Sequence, residues 1–278
     1  MTTIETYGLD LQLAVQAAEG IARTAGALIR QAFRRPRHVE DKGVNDLVTE
    51  TDRASEALAS ELLRHTFPTC NVAGEEGVRF SAPAQGAPLT WWIDPLDGTY
   101  NFVHGVPRFS VSLGCLDPTG SVLVGVVYDP MFDECFRAVR GGGATCNGAP
   151  IRVSSATRLR DALVASGFPA SLKSSDNNTA EWAAFVPRCQ GVCRMGSAAL
   201  DLCYVASGRF DVYWEYGLAP WDMSAGVLIV QEAGGQVTDY EGQPFDVHKG
   251  GGLLATNRLL HDEAVSVLAS ARQSEKSS

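Results

Sequence analysis

Two carboxylates stand three residues apart in the segment Trp91-Trp92-Ile93-Asp94-Pro95-Leu96-Asp97-Gly98-Thr99-Tyr100-Asn101-Phe102. An apolar run leads into them, and Pro95 stiffens the turn between Asp94 and Asp97. Acids so spaced at a strand's end can face one cavity. The segment contains no basic residue, so their charge calls for a cation. Hard divalent ions such as Mg²⁺ take carboxylates, carbonyls, water and phosphate oxygens. The segment therefore reads as a metal site built to meet a phosphate.

Other acids punctuate the chain. Asp52 follows Thr51 at the head of a predicted helix, and Glu75-Glu76 follow Gly74 in a turn. Asp222 follows Trp221 at the head of another helix, before the small residues Ser224, Ala225 and Gly226. Each alone has a plainer reading. Asp52 suits the positive end of a helix dipole, Glu75-Glu76 a solvated turn, and Asp222 a cap behind Pro220. A calcium loop would crowd its oxygens into one segment, and no such spacing occurs.

The elements that must position these residues follow from periodicity. Apolar residues at helical spacing predict a helix over 9–34, and a second over 51–65 closes before Pro68. The stretch between them is polar and predicts a loop. Segment 78–89 predicts a Pro/Gly-rich surface loop, followed by a strand over 90–93. Residues 109–140 predict β structure, and Asn147-Gly148 predicts a tight hairpin turn. From about residue 160 the pattern alternates. It predicts strands 162–166, 209–215, 236–238 and 252–256, and helices 176–186, 196–207, 221–233 and 258–270. Alternation of this kind predicts an α/β layer arrangement. The change in pattern divides the chain into 1–155, carrying most of the acidic motifs, and 156–278, completing the site. The polar end after Ala271 predicts a frayed tail.

The chain has 278 residues, 45% apolar and 20% charged, which suffices for a sizeable core. A net charge of −9 argues against a nucleic-acid footprint. Seven cysteines without a CxxC pair read as free thiols in a reducing compartment. No segment reaches the apolar length of a membrane span, and the N-terminus lacks a secretory pattern. These features predict a cytoplasmic protein. His65, His104 and His248 read as a helix-end partner, a packing or rim residue and a loop residue. Gly141–Gly143 serves a hairpin, because no GK[ST] follows it.

In order and spacing, Asp52, Glu75-Glu76, Asp94-Pro95-Leu96-Asp97-Gly98-Thr99 and Trp221-Asp222-Met223-Ser224-Ala225-Gly226 resemble the inositol monophosphatase family of Mg²⁺-dependent, lithium-sensitive sugar phosphatases. Gly143–Gly148 and Glu232-Ala233-Gly234-Gly235 are similar to the family as well. The resemblance runs from about 42 to 257. It implies a layered αβαβα sandwich (α/β, α+β), a homodimer, and two or three Mg²⁺ per site.

The resemblance also implies roles. Glu75, Asp94 and the Leu96 carbonyl would hold the first ion. Asp94, Asp97 and Asp222 would hold the second, and Glu76 would stand in an outer position or hold a third ion. Asp52 would orient Thr99, Thr99 would orient the attacking water, and Glu75 would receive its proton. The N–H groups of Gly98 and Thr99 would bind phosphate. Ser197 and Ala198 would offer N–H groups to the substrate's hydroxyls. Glu215 would accept from those hydroxyls, as would Asp97 and Asp222. The alternative for Glu215 is an ion pair with Arg209. Gly167-Phe168-Pro169 replaces a serine found in some relatives, and Lys42 falls where relatives carry a lysine. The implied partner is a small phosphate monoester, inositol 1-phosphate or a similar polyol phosphate. Fructose 1,6-bisphosphate, 3′-phosphoadenosine 5′-phosphate and histidinol phosphate are the alternatives. A regulatory binding protein of the same fold is the alternative of another class. Neither a membrane nor a nucleic acid is implied.

Overall fold

A computed structural model describes residues 5–35, 39–43, 46–83, 89–169 and 177–276. A short hairpin, β1 (Glu5–Thr6) and β2 (Leu9–Asp10), leads into α1 (Leu11–Ala32). Asp10 caps this helix by accepting from the N–H groups of Gln12 (2.9 Å) and Leu13 (3.1 Å). Strands β3 (Val39–Gly43) and β4 (Asp46–Thr49) pair antiparallel where a loop is expected. The apolar pair Leu47-Val48, with Val48 fully buried, draws this polar stretch onto the body. Next comes α2 (Glu50–Thr66), which Thr49 and Asp52 start with a reciprocal capping box.

Eight strands then form one sheet: β5 (Asn71–Gly74), β6 (Arg79–Phe80), β7 (Thr90–Asp97), β8 (Ser110–Leu116), β9 (Val122–Asp129), β10 (Glu134–Val139), β11 (Gly143–Cys146) and β12 (Ala149–Pro150). Their order is β12-β11-β10-β9-β8-β7-β5-β6. All neighbours are antiparallel except β5 and β7. A short helix, α3 (Thr99–His104), follows β7. Asn147 and Gly148 both take positive φ, 48° and 80°, as the predicted tight turn requires.

The second sheet contains β13 (Leu163–Ser166), β14 (Gly191–Cys193), β15 (Val212–Tyr216), β16 (Gln236–Thr238) and β17 (Gly252–Thr256), in the order β14-β13-β15-β17-β16. Interleaved with it are α4 (Thr179–Phe185), α5 (Ala198–Ala206), α6 (Pro220–Glu232) and α7 (His261–Lys276). Helix α7 therefore continues through residues expected to fray.

Three apolar clusters glue five layers, α-β-α-β-α. Ile21, Ala25, Ile29 and Leu63 of α1 and α2 cover Trp91, Ile93, Leu113 and Val126 on one face of the large sheet. Helices α5 and α6 fill the space between the sheets, with Leu200, Met223 and Ile229 between Phe136 and Tyr213. Phe185 and Leu268 of α4 and α7 cover Val164, Trp214 and Leu254 on the outer face. Among the described residues, no helix is long and apolar enough to cross a membrane.

One packing detail places the chemistry. Gly114 and Gly125 face each other across β8 and β9. A Cβ on Gly114 would come within 2.2 Å of Ser224 Oγ, and one on Gly125 within 2.7 Å of the Ala225 carbonyl oxygen. The missing side chains let α6 lie directly on the sheet. Ser112 Oγ then donates to the Trp221 carbonyl at 3.2 Å. Since Ser112 pairs with Asp94 on β7, the head of α6 arrives beside that acid.

Candidate active site

The end of β7 is interrupted between Asp94 and Asp97, which pair with Ser112 and Ser110 across a register shift. Asp94 Oδ1 accepts from the Leu96 N–H at 3.0 Å, which fixes its side chain in a local turn. The Pro95 carbonyl accepts from Ser55 Oγ of α2 at 2.8 Å. Gly98 takes φ +99°, and a Cβ there would sit 3.0 Å from the carbonyl oxygens of Arg108 and Gly196. Only glycine fits this corner. The α3 residue Asn101 ties it down by donating to the carbonyls of Arg108 (2.7 Å) and Met195 (2.8 Å).

One face of α2 braces this turn. Asp52 Oδ1 accepts from Thr99 Oγ at 2.9 Å, the pairing expected from the sequence. Thr99 Oγ also lies 3.1 Å from the Leu96 carbonyl. Asp52 is fully buried, which raises its carboxyl above the usual range, while donation from Thr49 and Thr99 offsets part of the rise. Glu56, one turn further on, holds the Glu75-Glu76 turn through the N–H groups of Glu76 (2.7 Å) and Val78 (2.8 Å).

Three acids lie close enough to Asp94 for their charges to act on it. Burial pushes the Asp94 carboxyl well up, and the charges of Glu75, Asp97 and Asp222 push it further. Asp222 is pushed up to about 7 by burial first, with further rises from Asp97 and Glu215 and relief from the Ala219 N–H, which donates at 2.7 Å. Carboxyls gathered this closely and pushed up by one another's charge mark a place where positive charge is wanted, and the donor set, all hard oxygen, suits Mg²⁺. Among the described residues, no three Asp, Glu, His or Cys side chains close on a common point. Mg²⁺ keeps several waters and needs only one or two protein carboxylates, so this open arrangement fits it.

Asp97 is placed differently from its neighbours. Its Oδ2 accepts from Ser197 Oγ (2.5 Å), the Ala199 N–H (2.9 Å) and Ser110 Oγ (3.3 Å). Its Oδ1 accepts from the Ala198 N–H at 3.2 Å. Asp97 is thus the acceptor at the positive end of α5. The Ala198 N–H expected to meet a substrate is taken by Asp97 in this structure, as is the Ser197 hydroxyl. Burial raises the Asp97 carboxyl, and these donors hold the rise in check.

Glu215 lies near the end of β15, partly buried. Tyr213 Oη donates to its carboxylate. Burial pushes Glu215 up to about 7, the tyrosine relieves it, and Asp201 and Asp97 raise it further. Arg209 pairs instead with Glu134 on β10, which removes the surface-pair reading of Glu215. Glu76 is half-buried, within range of the Arg53 charge on α2. His104 and His248 are exposed. The side chain of Lys42 lies outside the described residues.

A family model described as the inositol monophosphatase family matches residues 10–275. The chain belongs to the inositol monophosphatase family. It is 42% identical over 269 residues to the inositol-1-monophosphatase of Synechocystis sp., covering 95% of this chain and 91% of that one. It is 44% identical over 245 residues to the Nus factor SuhB of Pseudomonas aeruginosa, covering 86% and 89%. The solved inositol monophosphatase of Anabaena superposes with a TM-score of 0.84 at 41% identity, covering 94% of this chain and 97% of that one. As a member of this family, the chain is a phosphatase of phosphate monoesters.

Several supports of this inositol monophosphatase site were not read from the sequence. Ser55 and Glu56 follow Asp52 by three and four residues, so helical spacing alone put them on its face. Tyr213, two residues before Glu215 on the same strand face, was readable by alternation. Gly167 carries no such signal. A Cβ there would meet the Glu215 carboxylate at 2.0 Å, so the glycine makes its seat. Its carbonyl is held by Asn178 Nδ2 (2.8 Å), and Asn178 in turn by Tyr240 Oη (2.7 Å).

Proposed function

We propose that the chain is a Mg²⁺-dependent phosphomonoesterase acting on inositol 1-phosphate or a similar polyol phosphate. The observation that carries this reading is Asp94, buried and raised by the charges of Glu75, Asp97 and Asp222 together. Glu75, Asp94 and the Leu96 carbonyl would hold one ion, and Asp94, Asp97 and Asp222 would hold the other, with Glu76 outside them. The chemistry a bound Mg²⁺ would supply there is charge to offset the phosphate and acidification of a water. Thr99 spends its single hydroxyl proton on Asp52. Its lone pairs therefore face outward and orient the incoming water by accepting from it. Glu75 takes the water's second proton. The N–H groups of Gly98 and Thr99, at a helix start that no side chain caps, donate to phosphate oxygens. Glu215 accepts from the polyol, since a carboxylate with one internal donor keeps lone pairs to spare.

The named relatives support the substrate class, and Glu215 on its glycine seat supports a polyhydroxylated leaving group. The test is phosphate release from inositol 1-phosphate, fructose 1,6-bisphosphate, 3′-phosphoadenosine 5′-phosphate and histidinol phosphate, with Mg²⁺ and with chelator. Release from inositol 1-phosphate, fastest of the four and lost in chelator, is expected. Lithium inhibition is expected in the same assay, and a homodimer in sedimentation. No Mg²⁺-dependent release from any of the four overturns the reading.

A second reading has one observation behind it. Relatives from Pseudomonas aeruginosa and Escherichia coli, 44% and 43% identical, carry the name Nus factor SuhB. A regulatory binding role on the same fold would survive Asp94→Asn, whereas phosphate release would not.

A further inference from the structure

We propose that Glu56 is a positioning residue: it sets the aim of Glu75 and thereby the Mg²⁺ affinity of the site. The inference rests on the metal reading above. Glu56 belongs to none of the acidic motifs, and at 2% exposure it cannot meet a substrate. Its carboxylate turns to the backbone of the turn that carries Glu75. One oxygen accepts from the Glu76 N–H at 2.7 Å and the other from the Val78 N–H at 2.8 Å.

The rest of that turn is equally fixed. The Gly74 N–H donates to the Val78 carbonyl at 2.9 Å, and the Glu75 N–H to the Ile93 carbonyl at 3.1 Å. Ile93 directly precedes Asp94. The Arg79 guanidinium donates to the Gly74 carbonyl. With the donors of residues 74, 75, 76 and 78 all assigned, Glu75 leaves the backbone beside β7, near enough to Asp94 for its charge to act there. Removing Glu56 would free the outer half of the turn and leave two N–H groups without their acceptor.

Gly74 gives independent support. It is absent from the positive-φ glycines, so the backbone does not demand a glycine there. Space does. A Cβ on Gly74 would lie 2.2 Å from Glu56 Oε2 and 2.5 Å from its Cδ. The glycine exists so that the Glu56 carboxylate can enter the turn. The demand for a carboxylate is equally specific. Two N–H donors need two acceptors, and a glutamine supplies one while setting its own NH₂ against the other donor.

The experiment is calorimetric titration of the intact protein with Mg²⁺ and no substrate, beside phosphate release at saturating Mg²⁺ and a melting curve. Glu56→Gln and Gly74→Ala each weaken Mg²⁺ binding about tenfold, the size seen when groups that orient metal ligands are lost. The double variant is no weaker than either single one, because both break one contact. At saturating Mg²⁺, kcat stays within about threefold of wild type. Leu63→Ala, a buried truncation on the same helix, lowers the melting temperature yet leaves Mg²⁺ affinity alone. Wild-type affinity in both Glu56→Gln and Gly74→Ala overturns the proposal, as does a loss in Leu63→Ala equal to theirs. Should Glu56→Gln fail to fold, Gly74→Ala decides. Absence of Mg²⁺ binding by the wild-type chain overturns this proposal and the metal reading together.

Discussion

On the α2 side of the site Asp52, Ser55 and Glu56 are buried, and each ends on a partner in β7, α3 or the Glu75 turn. On the opposite side Asp222 and Glu215 are only partly buried, each accepts from one neighbour, and both are pushed up to about 7. The first half is satisfied by the protein itself. It can hold the turn, the threonine and the water's place with nothing bound. The second half carries negative charge that the protein leaves unsettled. Under the proposed function, cation and substrate complete it. Effects of metal, pH and substrate identity should therefore concentrate on α6 and β15, and effects on the chemical step should reach into α2.

Asp94 stands between the two halves, and its loss is the largest effect expected. Under the proposed metal reading, Asp94→Asn would remove a ligand of both ions, and phosphate release falls by at least about 1000-fold. The same change removes a buried charge opposed by three others. Measured by melting without metal, the variant is at least as stable as wild type. Retained turnover would break the comparison at its centre.

Thr99→Val tests the braced half. The hydroxyl proposed to orient the attacking water is lost, and kcat falls about 100-fold with KM nearly unchanged. Stability falls by about 1–3 kcal/mol, because Asp52 loses a donor inside a buried site. A KM effect without a kcat effect would place Thr99 in the wrong half.

Glu215→Gln tests the open half. One acceptor toward the polyol is lost, so KM for inositol 1-phosphate rises about tenfold, the size of one charged hydrogen bond. KM for a phosphate ester without hydroxyls stays the same. Equal rises for both esters would remove Glu215 from substrate recognition.

Acidity sharpens the contrast without mutation. Asp222 and Glu215 sit at about 7 in the folded protein and near 4 when unfolded. Between those values the folded state binds more protons than the unfolded one. Linkage then makes stability fall as pH rises through that window. The chelator-treated protein should melt lower at pH 8 than at pH 5.5. Added Mg²⁺ should raise the melting temperature more at pH 8, where the carboxylates are free to bind it. A metal-free protein that gains stability over this range would contradict the charge cluster.

The fold was legible from the sequence to the extent that local pattern decides it. Helical spacing located α1 and α2, and Asn147-Gly148 located its turn. The hairpin β3–β4 was not legible, because polar strands give little alternation to read. The candidate site was legible as a set of acids, because Asp94, Asp97 and Asp222 sit in dense motifs. What the acids rest on was not. Gly114, Gly125 and Gly167 act through space they leave empty, and a sequence does not say which glycine another side chain needs. Ala198 was read as an N–H donor to a ligand, yet its N–H faces Asp97, because a buried carboxylate at a helix start takes the nearest N–H groups first.

The smallest effect expected concerns Arg209, the residue that offered Glu215 a surface partner. Arg209 pairs with Glu134 and lies over the Tyr204 ring, 4.6 Å from its centroid. Its side chain is 40% exposed, so the ion pair contributes less than about 1 kcal/mol. Arg209→Ala should lower the melting temperature slightly and leave KM for inositol 1-phosphate within about twofold of wild type. An Arg209→Ala KM as high as that of Glu215→Gln would mean that the arginine reaches Glu215 when substrate binds. The open half would then be tied to β10 through Arg209 and no longer left to cation and substrate alone.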